Sequence, residues 1–594
     1  MKMHINIKDI IKNNIITGTL HKLRQVLPST YRRKSFKMIS LLFLNSIFEL
    51  VGLAAFLPLF SVILQPGVIQ SHHLISKVYT FVGFSSENQF ILALSGLIVV
   101  AIVFKNIASI FIVRSQARFS LSLYQYFSNK LHQLYYSKGF PFFKKTNSNI
   151  ILRNISTIPN QFANQIVLPL FNFLNEMLVL VLILTGLFLY DPKAIVLLTV
   201  TILPVFLLFY NWVKGRALRL EKEVNAIAPE LTKSIFQSVH GYPDVEITNT
   251  QTVFRKRIAD LIGRLVKLNV RRTVYNASPT KVLETGMVIT IFAITAYGLW
   301  FLPDRAGLAA LLGMYALAAY RILPSTNRIM LALISIKGYQ YTFDIIGEAT
   351  GFAPEKGEDH EIEFNKHIEI KDLSFRFPDS KESMLSKINL CIQKGESLGL
   401  IGESGSGKTT LMNLLLGFWE PTKGGILIDN TPLSKKTLKS WRDRIGYVQQ
   451  EVYIIDSSVA ENVAFGLKDK EIDQDKLEKA LKQASLWDFV QTLPNTIYTK
   501  IGERGAKLSG GQRQRVGIAR ALYAGADVLF FDEATSALDT KTEEEITESI
   551  RTLADGKLTL IIIAHRKTTL KYCTRIVKVA NGKLHGEVSY EDIV

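Results

Sequence analysis

The residues Gly402-Glu403-Ser404-Gly405-Ser406-Gly407-Lys408-Thr409 have the types and spacing of a phosphate-cradling loop. An apolar, strand-like run, Ser397–Ile401, leads into them, and a helical run over 411–416 leads away. In that setting the glycines let backbone N–H groups converge on phosphate oxygens at a helix N-terminus. Lys408 reaches the terminal phosphates, the Thr409 hydroxyl is a magnesium ligand, and Thr410 completes the set in the first helical turn. Further along, Val528-Leu529-Phe530-Phe531 reads as a buried parallel strand that ends in Asp532-Glu533. Asp532 is placed to hold magnesium, directly or through water. Glu533, one residue nearer the phosphates, is the natural general base for an attacking water. Paired carboxylates at the carboxyl end of a strand stand where open α/β sheets bind ligands. His565 follows another apolar strand, 558–563, and is a candidate contact for the terminal phosphate.

These groups need a sheet to bring them together, and composition assigns that sheet to only part of the chain. The 594 residues carry a formal net charge of +19, are 48% hydrophobic and 20% charged, and have a mean hydropathy of +0.19. That excludes a disordered or purely solvating polymer and implies apolar surface facing lipid. Cys391 and Cys573 are the only cysteines; a disulfide scaffold and a cysteine-based zinc module are excluded, leaving two thiols suited to a reducing compartment. Residues 1–345 hold 36 Lys and Arg against 14 Asp and Glu, whereas residues 346–594 hold 34 against 37. A basic excess often marks a nucleic-acid partner, but here the basic residues alternate with long apolar runs, so no nucleic acid is expected. The expected architecture is an α-helical transmembrane domain with six spans and long cytoplasmic extensions over 1–345, a linker over 346–366, and an α/β P-loop nucleotide-binding domain over 367–594.

The six segments lie near 38–64, 90–113, 166–190, 194–213, 282–301 and 308–330. Each is long enough for a hydrocarbon core of about 30 Å, which takes about 20 helical residues. Lys and Arg are retained on the cytoplasmic side: nine lie in residues 1–37, only Lys77 in 65–89, and the connections over 114–153 and 214–272 are basic again. This alternation puts both termini and the nucleotide-binding half in the cytoplasm, in a multi-pass protein of the cytoplasmic membrane. No cleaved signal peptide is expected, because the first apolar stretch is too long and begins after about 35 polar residues. The inner connections are periodic and read as helices that extend below the membrane, with tips that could touch a cytoplasmic domain. Residues 76–84, in the first outer loop, read either as a short amphipathic helix at the interface or as an ordered loop.

Charges inside spans are costly and indicate function by default. Glu49, Lys105 and Glu176 lie within the first three spans, Lys281 and Glu284 open the fifth, and Arg321 and Arg328 share one face of the sixth. Lys105 and Arg321 each lie about 15 residues from the outer edge, which sets both at one depth of about 22 Å. One reading is a basic cavity formed by Lys105, Lys281, Arg321 and Arg328 for an anionic substrate. The other is a set of structural ion pairs, such as Glu49 with Lys105, with Arg328 snorkelling to the interface.

Leu508-Ser509-Gly510-Gly511-Gln512, just before a helix that begins near Arg513, resembles the signature of ATP-binding cassette proteins. The resemblance extends to Gln450 in Tyr447-Val448-Gln449-Gln450 (the Q-loop), to Ser536-Ala537-Leu538-Asp539 (the D-loop), to His565 as the switch histidine, and to Glu503-Arg504-Gly505 (the X-loop). Six spans ahead of one cassette resemble an exporter half-transporter. The resemblance implies ATP and Mg2+ as cofactors, with Gln450 joining Thr409 and Asp532 as a metal ligand. It implies that Phe377 stacks on adenine where the family usually has Tyr, for which a π-face suffices; Gln449 stands where Pro usually precedes the Q-loop glutamine. One phosphate loop and one signature per chain imply a homodimer with two composite sites, in which Ser509, Gly510 and Gly511, followed by Gln512, meet the γ-phosphate bound by the other copy. An unaltered Glu533 implies active hydrolysis, and segments 131–143 and 221–233 are the expected coupling segments; the alternative for the second is that Glu221, Glu223 and Glu230 form a plain solvated face.

Residues 74–84, Phe48-Glu49-Leu50-Val51-Gly52 with Phe56-Leu57-Pro58, and Tyr320-Arg321-Ile322-Leu323-Pro324 resemble the subgroup that flips lipid-linked oligosaccharides. That subgroup implies a polyprenyl-pyrophosphate glycan as cargo, and a pyrophosphate calls for cationic partners. An exporter of peptides or hydrophobic drugs is the alternative; it predicts an aromatic and aliphatic cavity with the basic residues locked in ion pairs. A third class, a non-transporting cassette ATPase or regulator, is opposed by six spans and an intact Glu533.

Overall fold

The computed structural model of the chain describes residues 15–64, 69, 73–84, 86–190, 192–301, 305–353, 360–533, 540–555, 558–564 and 566–593. It divides into two compact units, one of Met1–Ser137 with Thr146–Pro354, the other of Lys138–Lys145 with Glu355–Val594.

The first unit is helical. Its long elements are α1 (Ser29–Ala54), α2 (Glu87–Ser137), α3 (Leu168–Tyr190), α4 (Pro192–His240), α5 (Gln251–Phe301) and α6 (Arg305–Gly338). The 51 residues of α2 and of α5 make rods of about 75 Å at 1.5 Å per residue, far more than a hydrocarbon core requires. The inner connections are therefore continuations of the spans as helix. Below α3 the chain stays helical from Ser148, passing through two π-helical stretches, Arg153–Thr157 and Phe162–Val167. Among the described residues, four helices are long and apolar enough to cross a membrane, within Ser29–Gly52, Glu87–Ser137, Ser148–Gly186 and Gln251–Trp300. The other two expected spans, 194–213 and 308–330, fall inside α4 and α6. Along α2 the side chains of Val100, Phe104, Ile107 and Phe111 are exposed, a continuous apolar face that water would penalise and lipid would not. Inward, Val179 and Ile183 of α3, Leu283, Met287 and Ile294 of α5, and Ile322 of α6 pack into one apolar cluster. The outer-loop segment is helical over His73–Val82.

The second unit is built on two sheets. Strands β1 (His367–Phe375), β2 (Leu385–Gln393), β4 (Lys423–Ile428) and β5 (Thr431–Pro432) form an antiparallel sheet in the order β2-β1-β4-β5. The other sheet runs β10-β9-β3-β8-β7-β6, from β3 (Ser397–Ile401), β6 (Ile445–Val448), β7 (Val528–Asp532), β8 (Thr559–Ile563), β9 (Arg575–Ala580) and β10 (Lys583–Val588). All its pairings are parallel except β9 with β10. A parallel sheet is covered on both faces, and Leu398, Leu400, Leu529, Phe530, Phe531 and 560–563 are buried accordingly. This order sets β8 between β3 and β7, so the carboxyl ends of the strands that precede the phosphate loop, the paired carboxylates and His565 lie side by side. The helix Gly139–Lys145, which overlaps the expected coupling segment 131–143, also belongs to this unit: Phe140 stacks on Phe418 with ring centroids 4.7 Å apart, and Lys145 pairs with Asp379 at 3.0 Å.

Three helices recur below: α7 (Lys408–Leu415), α8 (Gly510–Ala524) and α9 (Thr540–Asp555). Helix α8 lies so close to β6 that a Cβ on Gly446 would stand 2.4 Å from Ala521 Cβ and 2.7 Å from Leu529 Cδ2. Gly446→Ala is therefore expected to destabilise the protein by about 1–3 kcal/mol through overpacking; thermal unfolding of the purified protein checks this, and an unchanged midpoint would show that α8 can back away at no cost.

Candidate functional site

The phosphate loop links β3 to α7. Backbone crowding explains its first glycine, where a Cβ would lie 2.1 Å from the Val579 carbonyl oxygen. Gly407, at φ +108°, caps α7, so the first turn of that helix opens onto the loop as anion chemistry requires. Lys408 is 4% exposed, and its Nζ donates to the carbonyl oxygens of Gly402 (2.8 Å) and Glu403 (2.9 Å). Burial lowers the pKa of this ammonium, while the nearby Glu533 and Asp532 carboxylates oppose that shift. Thr409, Glu403, Ser404 and Gly405 are exposed along the loop, whereas Ser406 and Thr410 are buried.

Asp532 closes β7. Burial raises its pKa, against hydrogen bonds donated by the Tyr447 and Thr409 hydroxyls; Tyr447 Oη is 3.2 Å from its carboxylate. The Tyr447 hydroxyl is itself pushed well above its usual range by burial and by Asp532. Thr409 and Asp532 thus form an oxygen pair suited to a hard divalent cation. Among the described residues no group of three or more His, Cys, Asp and Glu could hold a metal ion, so a magnesium ion here would complete its oxygen shell with ligands such as the Gln450 side chain, water and phosphate. Glu533 holds a left-handed backbone, φ +51°, pinned by its N–H donating to the Ile563 carbonyl at 3.0 Å. Such conformations are costly for a residue with a Cβ and cluster at functional sites. His565 and residues 536–539 lie outside the described residues.

Phe377 sits in an aromatic group, edge-on to Trp419 at 5.4 Å and to Phe375 at 4.9 Å. Ser509 caps α8: its Oγ accepts from the Gln512 N–H (3.2 Å), and the Gln512 side chain accepts from the Ser509 N–H (2.8 Å). Gln512, expected at the nucleotide, therefore spends its side-chain oxygen on the cap, leaving Gly510 and Gly511 to open the helix. Sequence reasoning missed two supporting residues. Tyr447 is one; the other is buried Gln514, whose Nε2 donates to the carbonyls of Gln450 (2.6 Å) and Gln449 (3.2 Å) and so fixes the Q-loop to the signature helix.

In the helical unit the intramembrane charges meet. Glu49 pairs with Lys105 (3.1 Å) and Arg321 (3.4 Å). Glu176, 2% exposed, pairs with Arg321 (3.5 Å) and Arg328 (2.6 Å) and accepts from Ser325 (2.6 Å). Just beside it Asn45 donates to Asn175 at 2.9 Å. Among the described residues two carboxylates thus face three cations, and the Arg328 side chain remains 52% exposed. Lys281 stands apart, exposed and paired with Glu284 at 3.0 Å.

A parallel sheet with a phosphate loop, an acidic strand end and a capped signature helix, carried with long apolar helices on one chain, defines a membrane-bound nucleotide-driven machine. Residues 385–536 match the ABC transporter family model. The chain is 31% identical over 420 residues to an ATP-dependent lipid A-core flippase of Bordetella avium, covering 68% of this chain and 69% of that protein. It is likewise 31% identical over 465 residues to a lipid A-core flippase of Paraburkholderia xenovorans, covering 76% of each. Its fold matches a bacterial Atm1-family ABC exporter solved with ATP bound, with a TM-score of 0.71 and 20% identity over 96% of both chains. The chain belongs to the ATP-binding cassette transporter family, as an exporter half-transporter: a multi-pass membrane protein that couples ATP hydrolysis to transport.

Two outcomes test the assignment of roles. Glu533→Gln should lower ATP turnover by about a hundredfold or more, the usual weight of a general base, while nucleotide binding persists; wild-type turnover in that variant would reject Glu533 as the base. Phe377→Ala should raise the ATP concentration needed for half-maximal turnover with little loss of maximal rate, and an unchanged requirement would count against adenine stacking at this ring.

Proposed function

We propose that the protein works as a homodimer in the cytoplasmic membrane, with its termini and cassettes in the cytoplasm, and that it translocates a phosphate-bearing glycolipid. The polyprenyl-pyrophosphate glycans expected from the motifs and the lipid A-core type of the relatives both fall in that class. The observation that carries the reading is the cluster of Glu49, Lys105, Glu176, Arg321 and Arg328, with one cation in surplus and a half-exposed guanidinium at Arg328. A guanidinium fork suits a phosphate or pyrophosphate oxygen.

In this reading Lys408 and the loop amides bind the terminal phosphates of ATP, and Ser509, Gly510 and Gly511 of the second copy complete the site. Because the signature engages only when the two cassettes meet, ATP favours the closed pair by differential affinity. Thr409 and Asp532, with Gln450, would hold Mg2+, which when bound supplies charge neutralisation for the transferred phosphoryl group. Glu533 takes the proton of the attacking water, and hydrolysis releases the clamp.

A second reading, export of peptides or hydrophobic drugs, draws support from the pairing of Lys105 and Arg321 with carboxylates, as that class predicts. Purified protein in liposomes separates the two: polyprenyl-pyrophosphate glycans or lipid A-core should stimulate ATP hydrolysis where peptides and dyes do not. Arg328→Ala should lose more of that stimulation than of basal turnover. Stimulation by hydrophobic peptides alone would reject the glycolipid reading.

A further inference from the structure

Glu543 has no role in any motif described above, yet it is one of the most enclosed carboxylates of the second unit, 5% exposed in the first turn of α9. Both of its oxygens are engaged: Arg566 Nη1 donates to Oε2 and Thr568 Oγ1 to Oε1. A buried carboxylate is costly unless paired and hydrogen-bonded, and this one is satisfied by a guanidinium, a hydroxyl and the positive end of its own helix. The donors follow His565 by one and three residues. Upstream of the histidine the chain is fixed by β8, whose Ile563 pairs with β3 and β7 and accepts the Glu533 N–H. Downstream, Thr569 and Leu570 are buried.

We infer that Glu543 is a positioning residue for ATP hydrolysis, holding the segment just after His565 against the helix that directly follows residues 536–539. One side chain thereby joins the start of α9 to the downstream end of the histidine segment. Any displacement of that helix start is passed on by a charge-assisted hydrogen bond, the kind that resists stretching most. Glu543 touches no phosphate in this account; it acts through the position of His565, so the inference rests on the reading of His565 as the γ-phosphate contact.

The test is a double-mutant cycle on the full-length protein in proteoliposomes, with Glu543→Gln, His565→Ala and the pair. Glu543→Gln keeps an acceptor for Thr568 but turns an amide toward Arg566. It should lower kcat by about tenfold or more, the scale of a small misplacement of a reacting group, with the KM for ATP unchanged. On the His565→Ala background it should cost little further, since residues that act through one another are not additive. Full additivity, or a parallel fall in ATP affinity, would overturn the inference and leave Glu543 as a general stabiliser of the fold. A loss of turnover in His565→Ala with wild-type kcat in Glu543→Gln would overturn it while sparing the histidine reading. Wild-type turnover in His565→Ala would overturn both. If Glu543→Gln does not accumulate folded, Glu543→Asp, which keeps the charge but retracts it by one methylene, takes its place in the cycle with the same outcomes.

Discussion

The nucleotide half is organised by one electrostatic constraint: an almost fully buried lysine, Lys408, beside the two adjacent carboxylates, Asp532 and Glu533, at the end of the parallel strand β7. Burying any of these charges alone would be prohibitive. Together they are tolerable, and the sheet order is what brings them together. With β8 between β3 and β7, the phosphate loop, Asp532-Glu533 and the exit toward His565 fall on one edge of one sheet. The apolar strands that separate into two buried clusters on its faces keep water from shielding the site from behind. Tyr447, reaching from β6 to Asp532, and Gln514, reaching from α8 to the Q-loop, attach the neighbouring elements to that edge.

The helical half carries the same problem in a different solvent. Glu176 is nearly inaccessible and is held by two arginines and a serine from α6, so α3 and α6 are tied by charge where lipid offers no hydrophobic force between helices. Glu49 extends the tie from α1 to α2 through Lys105 and to α6 through Arg321. Among the described residues the cluster binds four helices with three cations against two carboxylates, which makes it a structural knot.

Much of the second unit was legible because its chemistry is written in contiguous residues. The phosphate loop, the strand ending in Asp532 and the signature at Ser509–Gln512 each declare themselves within eight positions; the first two emerge in the elements expected, while the signature helix begins at Gly510, earlier than expected, and Ser509 and Gln512 form its cap. What escaped was chemistry assembled across distance by ordinary residue types. Nothing in the spacing of Tyr447 and Asp532, Gln514 and Gln450, or Glu543 and Arg566 links them; only the sheet order and the packing of α8 and α9 do. The intramembrane charges fall between these cases. Their cost made them visible one by one, and the pair Glu49–Lys105 could be named, but Glu176 as the shared partner of Arg321 and Arg328 depends on how helices rotate against each other, which a hydropathy pattern does not specify.

The backbone of Glu533 carries a further implication. At φ +51° the position would be more comfortable for Gly or Asn, residues that enter left-handed geometry with least strain. Either would ease the turn after β7 while deleting the carboxylate. With Glu533 as the proposed base, folding and turnover pull this residue in opposite directions, and a library selected only for robustness should drift here toward sturdy, silent proteins.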